Sequence, residues 1–374
     1  MTSFTDSLIE LLGGLAWVPE NAAGIIFVTV SVLVALPVFL FMTLNAMVAV
    51  YMERKVSAFM QDRLGPMEVG IFGFKGGKRF WGGIGQTVAD AVKLLGKEDT
   101  IPGEADRALF IIGPFILFGA AFATFIGIPI GYGLVISDFN IGIFFVIAIS
   151  SIGVIGVILA GWASNNKWSL YGAMRSAAQM ISYELPVGMS LLLVVMVVGS
   201  LQFHDIVMWQ EQHRWFLFHS PFTALAFLIF FASGVAEVNR TPFDIPEAES
   251  ELVAGYMTEY SGFRWSIFFL SEYANMAIIA LMSAIIFLGG WLSPLGGLFR
   301  TFNLEQSWYF LEGPWWGVFW ISIKAIALIF VMMWVRWTWP RLRPDQLMYV
   351  AWKVFIPFAL ANIFFVGIWE LLLG

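Results

Sequence analysis

Residues 141–162 read IGIFFVIAISSIGVIGVILAGW, twenty-two residues without one charged side chain. Coiled as a helix, such a run is about 33 Å long, enough to cross the roughly 30 Å hydrocarbon layer of a bilayer. Similar apolar runs recur along the chain and place expected spans at 24–51, 108–130, 141–162, 177–200, 221–238, 265–292, 315–337 and 350–373. Backbone groups in hydrocarbon must pair within their own segment, and the alternation of a barrel strand is absent. The expected fold is therefore all-α: one polytopic membrane domain, residues 1–374, of about eight helices tilted or kinked around a cavity. With 59% hydrophobic and only 12% charged residues, a water-soluble monomer is excluded. Pro37 and Pro186 fall inside spans, where they are expected to kink or locally unwind the helix.

The charges set the orientation. Of 20 Lys and Arg residues, 17 lie in the alternate loops 52–107, 163–176, 239–264 and 336–349, with Lys353 just beyond. Only Arg214 and Arg300 lie in the opposite loops, and Lys324 lies within a span. The positive-inside rule then puts both termini in the periplasm or its equivalent and the charged loops in the cytoplasm or matrix. No Lys or Arg precedes Arg54, so the opening segment lacks a basic leader and is expected to be retained.

With no cysteine, the chain has no thiolate for an iron–sulfur cluster, a disulfide or a nucleophile. Any redox centre must sit on a partner. His204, His213 and His219 share one loop at spacings that match no zinc motif, and no metal site is expected. GIFGFKGGKRFWGGIG at 70–85 lacks the GxxxxGK[ST] pattern and reads as a connector rather than a phosphate loop. The preceding VSAFMQDRLGP at 56–66 carries Val56, Phe59, Met60 and Leu64 at helical spacing, the pattern of an amphipathic helix lying at the cytoplasmic interface.

Acidic residues carry the chemistry. Glu53, Glu184, Glu237 and Glu272 lie on four different spans, each toward the end joined to a basic loop. Singly each is an ordinary helix-end charge, but as a set at similar depth they point to an ion or substrate path. Lys324 lies deeper and is expected to need a carboxylate partner or a lowered pKa. The loop NRTPFDIPEAESELVAGYMTEYSG at 239–262 holds Asp244, Glu247, Glu249, Glu251 and Glu259 against Arg240. Pro246 suits a first helical position, and on that helix Glu247, Glu251 and Glu259 would share one ridge. Packed in protein, such acids exchange protons as a relay; in water they are a solvated acidic helix start.

Several long segments carry a resemblance. They are ERKVSAFMQDRLGP at 53–66, ADAVKLLGKED at 89–99 and GWASNNKWSLYGAMRSAAQMISYELPVG at 161–188. AEVNRTPFDIPEAESELVAGYMTEYSG at 236–262, SEYANM at 271–276 and WPRLRPDQLMYVAWKVFIP at 339–357 complete the set. Together they resemble the family of quinone-chamber membrane subunits of respiratory NADH:quinone oxidoreductase, complex I. That resemblance implies a subunit at the junction of the redox and membrane arms, walling the entry and chamber for quinone. It assigns Glu53, Arg54, Lys55, Arg63 and Phe243 to the entry and chamber, with Arg341 and Arg343 bracing its cytoplasmic surface. Glu184, Glu237, Asp244, Glu247, Glu249, Glu251, Glu259 and Glu272 would form the relay. Ile-Pro-Glu-Ala-Glu at 245–249 departs from an expected Leu-x-Glu-Gly-Glu but keeps both carboxylates.

The implied substrate is a quinone, with FMN and iron–sulfur clusters on partner subunits and no covalently bound cofactor here. Implied partners are the peripheral quinone-site subunits, the adjacent membrane-arm subunits and lipid, with no nucleic acid. The implied location is the bacterial inner membrane, or the mitochondrial one for an organellar chain. Catalysis would need the whole complex. Competing readings are the homologous membrane anchor of a membrane-bound hydrogenase, an ion-coupled transporter and a purely structural anchor.

Overall fold

In the computed structural model, the described residues are 23–70, 82–246, 249–294 and 313–373. Among them the chain is helical, with one isolated bridge, Gly131 to Leu134, and no named strand. The principal helices are α1 (Ala23–Met60), α2 (Gly85–Gly96), α3 (Arg107–Gly127), α4 (Gly142–Ala163), α5 (Lys167–Val198) and α6 (Phe203–Gln212). They continue as α7 (Pro221–Glu237), α8 (Gly262–Phe287), α9 (Pro314–Thr338), α10 (Pro344–Tyr349) and α11 (Ile356–Leu373), with a π-helical turn at Val350–Phe355 joining the last two. Among the described residues, seven helical stretches are long and apolar enough to cross a membrane, and α7 is a shorter apolar helix. A helix lies at each of the eight positions where the sequence pattern places a span.

Local chemistry sets the ends. Asp106 caps α3 by accepting from the amides of Ala108 and Leu109 at 3.1 and 3.3 Å. Asn166 caps α5 through Trp168 N at 2.9 Å, so this helix begins ten residues before the apolar run at 177. A Ser220–Thr223 capping box with Pro221 at the first helical position starts α7. Both α1 and α5 stay helical through Pro37 and Pro186, so of the expected kink or local unwinding neither helix unwinds. Neighbouring helices supply the packing that tolerates the missing bond.

Two further expectations are corrected. Residues 56–60 do not form a separate interfacial helix: they continue α1, which ends at a turn where Asp62 takes φ +56°. The amphipathic helix on this side is α2, whose Val88, Val92 and Leu95 form an exposed apolar stripe. Nor does a helix run from Pro246 to Glu259. A single turn, Glu249–Leu252, ends at Val253 with φ +65°, and a 3-10 turn follows at Gly255–Met257. A β-branched residue in that conformation cannot continue a right-handed helix.

The bundle is organised around α8, 78% of whose most apolar window is buried, against 17–44% for the other long helices. Every residue from Met276 to Phe287 is buried, as expected of a helix apolar on all sides. The α3–α4 pair packs through small residues, and a Cβ on Gly156 would lie 2.8 Å from Leu117 N. Side chains such as Leu36, Leu40 and Leu44 on α1, or Phe364 and Leu371 on α11, form an exposed apolar rim.

Candidate functional site

Six charged side chains from several elements meet where α1 ends, α8 begins and α9 ends. Glu53 on α1 receives two hydrogen bonds from Arg240 Nη1, at 3.1 and 3.0 Å, and one from Tyr273 Oη at 2.6 Å. Arg336 on α9 also bonds Glu53. Arg240 Nε lies 2.8 Å from Glu272 on α8, held by charge more than by a directed hydrogen bond, and its guanidinium stacks 4.6 Å from the Tyr273 ring centroid. Asp244 pairs with Arg341 at 3.3 Å. Glu53, Arg240 and Asp244 are buried. Three carboxylates therefore face three guanidinium groups, and the cluster is neutral when all are ionised.

The loop after α7 is pinned in place. Gln179 of α5 donates from Nε2 to Ala236 O and Phe243 O, both at 2.7 Å, closing the loop's two ends on one amide. Asn239 donates to Ser176 Oγ at 3.1 Å, and Leu342 N to Pro242 O at 3.0 Å. Burial works against the charge of Arg240, but the Glu272 and Glu53 carboxylates outweigh it and hold the guanidinium well above its ordinary pKa. Burial pushes the Asp244 carboxyl above the usual aspartate range, against the pull of Arg341, Arg336 and Arg240.

Deeper in the bundle, Glu184 of α5 and Glu237 of α7 line a cavity with Ser150 of α4 and Asn275 of α8. Its water-accessible space is about 40 Å³, enough for a few waters, and the remaining wall is apolar, including Leu117, Phe230 and Met282. The Ser151 hydroxyl sits between the Ile147 carbonyl and the Glu184 carboxylate.

The other residues singled out by sequence are dispersed. Arg54 pairs with Asp90 of α2 at 2.6 Å. Lys55 donates to Leu64 O and Pro66 O at 3.1 and 2.8 Å, clamping the turn after α1. Arg63 is exposed and lines a surface groove with Arg54, Ser57 and Gln61. Phe243 is buried against Tyr183, their ring centroids 5.5 Å apart. Among the described residues Arg343 pairs with Asp345, at 3.8 Å, on the exposed start of α10.

Glu251 and Glu259 do not share a ridge. Glu251 pairs with Arg175 at 2.6 Å on the surface, and Glu259 accepts from Asn166 Nδ2 at 2.5 Å. Glu247 lies outside the described residues, and Glu249 opens the short turn. An exposed pair contributes about 1 kcal/mol at most. We therefore expect Glu251→Gln, compared with wild type in assembled complex and turnover assays, to stay within about twofold.

Sequence reasoning missed Arg336, Tyr273, Gln179 and Asn275. A cation at a span end reads as a snorkelling residue, and a lone Tyr, Gln or Asn in an apolar run gives no signal of its partner. The expected carboxylate partner of Lys324 is not found among the described residues: its ammonium is bound by three backbone carbonyls instead.

A family model described as NADH dehydrogenase matches residues 18–367. Curated relatives, each named as the H subunit of NADH-quinone oxidoreductase, include one of Chlorobaculum tepidum, 51% identical over 90% of this chain and 92% of that protein. Others are from Bacillus cytotoxicus, 48% identical over 91% of this chain and 92% of that protein, and Bacteroides thetaiotaomicron, 48% over 85% and 84%.

Proposed function

The chain belongs to the NADH dehydrogenase family as a membrane subunit of complex I, and from that premise we propose that it walls the quinone entry and chamber and couples quinone reduction to proton translocation. The observation carrying this reading is the neutral cluster of Glu53, Arg240, Glu272, Arg336, Asp244 and Arg341 at the mouth of the bundle, with the Glu184–Glu237 cavity behind it.

Reducing a quinone to quinol takes two electrons and two protons, so charge changes at the chamber during each turnover. The electrons come from iron–sulfur clusters and FMN on partner subunits, since this chain has no cysteine to hold a cluster. Arg240 is shared between Glu53 and Glu272, so a charge change that draws it toward one carboxylate weakens its hold on the other. Arg341 and Asp244 couple the cluster to the loop that follows α7. Glu184 and Glu237 line one small cavity, and in this reading they take up and pass on a proton there. In this reading eight helices cross the bacterial inner membrane, with both termini periplasmic and the cluster at the cytoplasmic end.

A photoreactive inhibitor that competes with quinone tests the chamber. Covalent label is expected on residues 53–66 or 240–246 of the intact complex, and label confined to the 199–220 segment rejects it. The hydrogenase-anchor reading predicts a hydrogenase subunit among co-purifying partners in place of an NADH-oxidising flavoprotein. A stand-alone transporter is disfavoured because the acids gather toward one end rather than at a midplane between repeated halves.

A further inference from the structure

Gln179 stands between the charged cluster and the acidic cavity. It is 1% exposed on α5, and its Nε2 donates to Ala236 O and to Phe243 O, both at 2.7 Å. Those two carbonyls belong to the peptides that lead into Glu237 and Asp244. One side chain therefore ties the backbone before a cavity acid to the backbone before a cluster acid. Between the tied points lies Arg240, which bonds Glu53 and pairs with Glu272.

The fold has little need of this amide. Ala236 O also accepts from Asn239 N at 3.1 Å, and Phe243 O from Ile245 N at 3.0 Å, so neither carbonyl depends on Gln179 for a partner. Because both neighbours are carbonyls, the amino end of the carboxamide must face them. Its Oε1 is left buried, with no hydrogen-bond partner among the described residues. A buried acceptor without a donor destabilises, and an apolar side chain of the same length would remove that penalty. Stability does not account for a glutamine here.

We propose that Gln179 is a positioning residue, a strut through which displacement of the charged loop during quinone reduction reaches Glu237. Both bonds leave one nitrogen, so the two peptides keep a fixed separation. When a charge change draws Arg240 between Glu53 and Glu272, the peptide before Asp244 moves with the loop, and the peptide before Glu237 follows. The loop's other ties, Asn239 to Ser176 and Pro242 to Leu342, reach its middle and not the peptides beside the two acids. Coupling between sites is carried by contiguous hydrogen-bonded contacts of this kind, and no proton passes along the strut. The inference rests on the relay reading of Glu237 and adds the element that times it.

The test uses the intact complex in sealed proteoliposomes, where NADH oxidation and proton translocation are measured side by side. Gln179→Met keeps the length of the side chain and removes both bonds. The variant is expected to assemble and to go on reducing quinone, while protons moved per NADH fall about twofold or more. Glu237 then keeps its proton but loses its timing. Gln179→Asn, whose shorter amide cannot span both carbonyls, is expected to lie between. A residue that only packs would lower yield or turnover and leave protons per NADH at the wild-type value, and that result would overturn the proposal. If Gln179→Met does not assemble, the ratio is read on Gln179→Asn with the same two outcomes. Normal pumping by Glu237→Gln would reject the relay and the strut with it, whereas lost pumping in Glu237→Gln beside an unchanged ratio in Gln179→Met would reject the strut alone.

Discussion

Arg240→Met is expected to lower NADH:quinone turnover by about a hundredfold or more, with much of the loss as unassembled complex, because it strands two carboxylates. Glu53 and Glu272 both lean on this one guanidinium, which is 3% exposed. Removing one partner of a buried pair costs about 3–5 kcal/mol, chiefly through the charge left without compensation. Glu53 retains Arg336 and Tyr273, so Glu272 suffers the greater loss. Adding Glu272→Gln to Arg240→Met should therefore recover part of the yield, a coupling that a double-mutant cycle reads directly. Arg240→Lys is expected to fall between, since a point charge cannot bond Glu53 and lie flat on Tyr273 together. Assembly on native gels and turnover in membranes are the measurements. Wild-type values for Arg240→Met would remove the cluster from the mechanism.

Glu237→Gln is the second large effect. Glutamine nearly matches glutamate in shape, and the cavity offers Ser150 and Asn275 as polar neighbours, so the complex should assemble. Without an exchangeable proton at this wall, quinone turnover and proton pumping are both expected to fall about tenfold or more, the usual scale for losing a positioned proton-transfer group. Glu184→Gln should behave alike, and the double variant should be scarcely worse than either single change, because groups acting as a unit are not additive. Full pumping by both single variants would reject the relay. The contrast with Glu251 matters here: the same change, glutamate to glutamine, is made at a surface carboxylate paired with Arg175 and at one that lines a cavity within the bundle.

That contrast shows what the sequence could and could not tell. Long uncharged runs such as 141–162 made the helices legible, because hydrocarbon leaves the backbone one economical solution. The same reasoning put Glu53, Glu184, Glu237 and Glu272 toward one end. It did not show that they divide into two groups, Glu53 and Glu272 neutralised by arginines and Glu184 and Glu237 set about a cavity. That division depends on which helices touch. The acidic loop was misjudged for a local reason. Glu247, Glu251 and Glu259 fit a helical ridge by spacing, but the left-handed Val253 breaks it, and Arg175 and Asn166 draw two of them to α5. Gln179, which closes the loop, is one uncharged residue on an otherwise ordinary helix face.

The π-helical turn at Val350–Phe355 has a rotational consequence. A π turn holds one residue more than an α turn, so the helix beyond it is offset by about 100° from where an unbroken helix would have carried it. On one side of the offset the Leu347 carbonyl receives Tyr183 Oη at 2.9 Å, and on the other Asn362 donates to Phe222 O at 2.8 Å. Both bonds depend on that phase. Deleting one residue from 350–355 would restore an α-helix of the same composition, yet turn α10 away from α5 and carry Arg341, just ahead of it, off Asp244. The last span thus sets the azimuth of the charged cluster from a place that carries none of its charge.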